Sequence, residues 1–188
     1  MSKPKTVVGK KAVEPIEKDN AYYEKLLHKA LDGPEFFPET YSKILDFLYL
    51  GGENEAKNLE EFNKHGFTHV INCSADHCPT GKNYYAERVK YLEFHADDRD
   101  GYDMLQHFDE AYKMIEEARM EGGKVLLHCI IGVNRSGCLA TAYCMLHLKL
   151  DVIKAAVFVK DARGCLLTNE SFQKQLIVFA REKGTLPK

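Results

Sequence analysis

A cysteine at 129 and an arginine at 135, with Gly132 between them and Ser136 immediately after, are residue types at a spacing that suits phosphate chemistry. They sit in "VLLHCIIGVNRSGCLATAYCM", residues 125–145, where an apolar, strand-like run ends at His128 and a helical pattern begins near Arg135. A strand, a short glycine-containing turn and a helix make a cradle whose successive backbone N–H groups point at one centre. That centre also faces a helix N-terminus, so it favours a bound dianion and stabilises a thiolate on Cys129. Ile130, Ile131, Gly132, Val133 and Asn134 are expected to offer the phosphate their backbone. Arg135 adds a planar guanidinium that holds two oxygens at once. The Ser136 hydroxyl can stabilise the thiolate as it leaves a phosphocysteine. His128 reads either as a brace for the loop backbone or as a satisfied core histidine.

The elements that must position this loop follow from periodicity. "SKILDFLYLGG" reads as two short strands, "FTHVINCSA", "VKYLEFHA" and "KVLLH" as three more, and all but the first lead towards polar or glycine-rich loops. Helical patterns occupy "NEAKNLEEFNKHG", "DMLQHFDEAYKMIEEARMEGG" and the segments 135–149, 151–163 and 169–183. Strands alternating with helices imply an α/β fold, a central and mainly parallel sheet flanked by helices, with ligands at the carboxyl ends of the strands. Residues 1–18, rich in lysine and without periodicity, read as a flexible leader. Residues 19–40 are expected to form an amphipathic helix, capped at Asn20, and a loop through Pro34 and Pro38. Residues 41–184 form the expected catalytic domain.

"HCIIGVNRS" resembles the His-Cys-x-x-Gly-x-x-Arg-Ser/Thr signature of the cysteine-dependent protein tyrosine phosphatase superfamily. "AYCM" at 142–145 is similar to the Ala-Tyr-Leu-Met of its dual-specificity members, with Cys144 as the departure. The likeness runs over about residues 41–182, and "GVNRSG" with "NESF" looks especially similar to the poxviral branch. It implies a protein tyrosine phosphatase-like fold and dephosphorylation of phosphotyrosine, phosphoserine and phosphothreonine in proteins. It also implies a general acid at Asp98, for which Asp97 and Asp100 are neighbouring alternatives, and an asparagine at 169 that braces the loop or caps a helix. Cys73, at the end of the strand expected beside the catalytic one, matches a position where some relatives form a reversible disulfide with the nucleophile.

Composition narrows the partners. The formal net charge of −2 gives no global reason to bind nucleic acid or an acidic membrane, and no apolar run approaches a membrane span. An RNA 5′-triphosphatase, a phosphoinositide phosphatase and a phosphoprotein-binding scaffold are the alternatives. The first lacks a basic stripe. The second usually carries lysines in the loop, and none lies between Cys129 and Arg135. Scaffolds in this family replace the nucleophile. Cys73, His77 and Cys78 lack a second ligand pair, so no metal and no cofactor are expected. Six cysteines, mostly within apolar patterns, read as reduced thiols in a cytoplasmic or nuclear protein. The apolar face of the 20–31 helix is expected to pack on its own domain, with docking on a second copy, as a homodimer, the alternative.

Overall fold

In the computed structural model, residues 18–85 and 89–188 are described, so the expected leader lies outside the described residues except for Lys18. The chain runs α1 (Asn20–Leu31), β1 (Ser42–Lys43), β2 (Leu48–Gly51), α2 (Glu53–Lys57), α3 (Leu59–His65), β3 (His69–Asn72), β4 (Lys90–Glu93), α4 (Phe108–Met120), β5 (Val125–His128), α5 (Arg135–His147), α6 (Val152–Arg163) and α7 (Glu170–Glu182). The sheet order is β1-β2-β5-β3-β4, with β1 antiparallel to β2 and the other pairs parallel. The expected α/β architecture is therefore the observed one. In register, Gly51 of β2 and Asn72 of β3 flank His128 of β5, so three strands end together at the point where Cys129 leaves the sheet.

Both faces of the sheet are covered, which is why its central strands read as unbroken apolar runs. Val125 and Leu127 of β5, with Leu48, Leu50 and Ile71, face a large core built with α1 and α4 to α7. Leu126 and Val70 face the other way, into a smaller aromatic cluster of Tyr41, Tyr49, Phe62, Phe67 and Tyr85. Each of these fully buried aliphatic side chains contributes roughly 1.5–3 kcal/mol from area removed from water. The central helix α5 is buried from Arg135 to Met145, and Cys144 sits in this core, where burial pushes its thiol up to about 12. Among the described residues no helix is long and apolar enough to cross a membrane.

Three local expectations are corrected. The helix expected over "NEAKNLEEFNKHG" breaks at Asn58, whose φ of −81° and ψ of 85° leave the helical region while its Oδ1 accepts from the Glu61 N–H at 3.2 Å. A side chain that caps can end one helix and begin the next. The helix expected from Asp103 opens as a 3₁₀ turn over Leu105–His107. The cap of α1 is Asp19, whose carboxylate accepts from the Tyr22 N–H at 2.9 Å, whereas Asn20 accepts from Arg181 Nε.

The helix α1 packs on α6 and α7 of its own chain. Tyr23 and Leu27 are buried there, and Lys160 Nζ donates to the Leu31 carbonyl. Tyr23 and Leu27, from the face that suggested a homodimer, are thus occupied within the chain, while Tyr22 of that face is 40% exposed.

Candidate active site

The loop from Cys129 to Asn134 is shaped by where its carbonyl groups go. The Ile130 oxygen accepts from the Glu53 N–H at 2.8 Å and the Val133 oxygen from the Leu167 N–H at 3.1 Å. The Ile131 and Gly132 oxygens accept from Arg163, from Nη2 at 2.6 Å and from Nε at 3.1 Å. With the carbonyls drawn outward, the planar peptide units turn their N–H groups inward. The Gly132 N–H reaches the Cys129 Sγ at 3.2 Å, and the Ser136 hydroxyl donates to the same sulfur at 3.3 Å. Gly132 has φ +77°, and a Cβ there would lie 2.4 Å from the Gly51 carbonyl oxygen, so only glycine lets the loop close against β2.

Arg135 is only 5% exposed and opens α5. Its Nη1 donates to the Ala96 carbonyl at 3.1 Å, and its Nε has no partner among the described residues. A buried guanidinium with an unfilled donor is costly unless an anion completes it. Cys129, Arg135, Asp98, Ile131 and Val133 line one cavity of about 330 Å³, whose wall also includes Phe37, Cys165 and Thr168. Ile131 and Phe37 are each 58% exposed and supply an apolar rim.

Of the three aspartates, Asp98 is the one that lines this cavity. Its two carboxylate oxygens accept from Asn134 Nδ2 at 3.1 Å and from Asn169 Nδ2 at 2.9 Å. Asp97 instead accepts from Arg99 Nε, and Asp100 lies farther along the neighbouring groove. Asn169 touches both the helix and the loop. Its Oδ1 caps α7 through the Ser171 N–H, and its backbone N–H donates to Asn134 Oδ1 at 3.0 Å. Its side-chain amide, however, braces Asp98, so its link to the phosphate loop runs through Asn134. The Asn134 side chain thus bonds both Asp98 and the Thr168–Asn169 segment.

His128 is fully buried, with Nδ1 3.4 Å from the Cys129 carbonyl oxygen and Nε2 without a partner among the described residues. Burial lowers it to about 4, so the ring is neutral at neutral pH. Cys73 continues β3 past Asn72, and its N–H donates to the His128 carbonyl at 2.8 Å. It shares the core with Cys129, and burial pushes its thiol well above the ordinary range.

Residue reading alone missed Arg163. It ends α6, is 2% exposed, and reaches Ser42 Oγ at 3.2 Å as well as the two loop carbonyls. In sequence it is one more basic residue in a last helical turn, and only its contacts distinguish it from a solvated one.

A family model, "Dual specificity phosphatase, catalytic domain", matches residues 48–182. The chain belongs to the dual specificity phosphatase family. It is 39% identical over 136 residues to human dual specificity protein phosphatase 26, a match covering 71% of this chain and 64% of that protein. Mouse protein phosphatase Slingshot homolog 3 is 35% identical over 135 residues, 72% of this chain and 20% of that protein. The chain thus spans less than two thirds of either relative. Among solved structures, human DUSP28 is similar with a TM-score of 0.70 and 27% identity over 81% of this chain and 99% of that chain. OH1 from the Orf virus, a poxviral phosphatase, shares the fold at a TM-score of 0.70 and 22% identity, over 85% of this chain and 97% of that chain. Within this dual specificity phosphatase domain, the matched segment contains Cys129, Arg135, Asp98 and Arg163 alike.

Proposed function

We propose that this dual specificity phosphatase domain removes phosphate from phosphotyrosine and from phosphoserine and phosphothreonine in proteins, through a phosphocysteine on Cys129. The observation that carries the reading is the loop whose carbonyls are bonded outward around one sulfur, beside a buried Arg135 whose Nε has no partner among the described residues. The thiolate attacks phosphorus, and the S–P bond forms as the P–O bond to the substrate breaks. The inward N–H groups and Arg135 hold the equatorial oxygens, the charge-stabilising role expected of preorganised donors. Asp98 gives the leaving oxygen its proton. Since both its carboxylate oxygens accept amide hydrogen bonds in the resting enzyme, it releases one of them when substrate enters. In the second step water attacks phosphorus, Asp98 takes up the water proton, and Ser136 donates to the departing sulfur. The apolar rim of Ile131 and Phe37 offers a surface for a phosphotyrosyl ring.

Phosphoinositides and RNA 5′-triphosphates are disfavoured: residues 130–134 contain no lysine, and the relatives above are named as protein phosphatases. A binding scaffold is disfavoured because the nucleophile is present. We assign the protein to the reducing cytoplasm or nucleus, on the ground that all six cysteines are unpaired.

The test is a panel of phosphotyrosyl and phosphothreonyl peptides, a phosphoinositide and an RNA 5′-triphosphate. Wild type should turn over both peptide classes, Asp98→Ala should lower kcat by roughly 10²–10⁴, and Cys129→Ser should bind phosphopeptide without turnover. Activity surviving Cys129→Ser sinks the mechanism, and a preference for either non-protein substrate sinks the substrate class.

A further inference from the structure

At the end of the sheet opposite Cys129, where the parallel strands begin, His69 opens β3, and its register partner Lys90 opens β4. Over them lies the last turn of α4, which brings Glu117 and Glu121, four residues apart, to the same point. The His69 Nε2 and one oxygen from each glutamate all lie within 4.8 Å of one another. Two exposed carboxylates alone would be an ordinary solvated pair. What sets this place apart is His69: its side chain is only 2% exposed, and its Nε2 has no hydrogen-bond partner among the described residues yet points at Glu121 Oε2 from 3.9 Å.

We propose that His69, Glu117 and Glu121 form a binding site for a divalent transition-metal ion of the zinc class. One imidazole nitrogen and two carboxylates are a donor set that zinc accepts, leaving a fourth position for water. The other ring nitrogen is already held as metal-binding imidazoles require. Nδ1 lies 2.8 Å from Thr68 Oγ1, and that hydroxyl lies 3.2 Å from the Lys124 carbonyl oxygen. With metal on Nε2, the proton resides on Nδ1 and donates to Thr68, which donates onward to Lys124, an outer-shell relay that fixes the ring. Lys90 Nζ now bridges Glu117 at 2.7 Å and Glu121 at 2.8 Å. It is the resident counter-cation, so metal entry exchanges one positive group for another. The ion would tie α4 to β3 about 10 Å from the catalytic end, the span of the four-residue strand.

The test uses the full chain carrying Cys129→Ser, so that the active-site thiolate cannot take the metal, titrated with zinc by calorimetry. One equivalent should bind and raise the melting temperature. Glu117→Gln with Glu121→Gln, both on the surface, should weaken binding at least tenfold, and Lys90→Ala should tighten it severalfold by removing the competing ammonium. Absence of stoichiometric binding, or an affinity unchanged by the glutamate variants, overturns the site. So does an affinity that Lys90→Ala leaves unchanged or lowers.

Discussion

Cys129 and Cys73 show how differently two thiols can be set by their surroundings. Cys129 receives two donors and lines a cavity, whereas Cys73 is fully buried with its thiol held up by desolvation. They follow the register pair Asn72 and His128 on adjacent parallel strands, and the Cys73 N–H still donates to the His128 carbonyl, so the two residues leave the sheet side by side. We propose that peroxide would convert Cys129 to a sulfenic acid, and that attack by the Cys73 sulfur would then form the S–S bond and release water. We expect peptide mapping of peroxide-treated protein to find a Cys73–Cys129 linkage, and Cys73→Ser to lose the recovery of activity that dithiothreitol gives wild type. Loss of activity without that linked peptide would remove Cys73 from the chemistry. Because the Cys73 thiol is raised, closure of the bond should be slow at neutral pH and faster as pH rises.

At the scale of elements, the loop owes its shape to groups far from it in sequence. Arg163 at the end of α6 binds two of its carbonyls, Glu53 at the start of α2 a third, and Leu167 before α7 a fourth. Replacing Arg163 by Met strands the buried Gly132 carbonyl, at about 1–3 kcal/mol, and leaves the partly exposed Ile131 carbonyl to water. Urea unfolding should therefore report a loss of roughly 1–3 kcal/mol, and kcat/KM for a phosphotyrosyl peptide should fall at least tenfold. A variant as active and stable as wild type would show that the loop holds its form without this clamp. The helix itself was legible from periodicity, but the part played by its last residue was not. A buried arginine and a solvated one share the same place in a helical repeat.

For the whole molecule, pH acts through the buried His128. Its folded value of about 4 lies below the ordinary 6.5, so between these values the unfolded chain takes a proton that the folded chain refuses. Stability is then fully present above about pH 6.5 and falls as pH drops towards 4. At pH 5 the loss is about 2 kcal/mol, readable as a lower urea midpoint than at pH 7.5. The loss should be smaller in His128→Gln, and an identical pH dependence in that variant would mean that other groups carry it.

Much of this protein is settled locally. The order of strands and helices follows from apolar periods of two and 3.6, and the phosphate chemistry from a cysteine, a glycine and an arginine within seven consecutive residues. These are short-range properties, and a chain displays them before it folds. Other features depend on which segments meet. Asp98 rather than Asp97 or Asp100 enters the cavity because Asn134 and Asn169, 36 and 71 residues away, hold its carboxylate. Tyr23 and Leu27 of α1 are covered by its own α6 and α7, and His69 meets Glu117 and Glu121 only when α4 crosses the end of the sheet where the parallel strands begin. Contacts between distant segments leave no periodic trace in the sequence, because each partner taken alone is compatible with exposure to solvent. Burial on folding is what makes them specific.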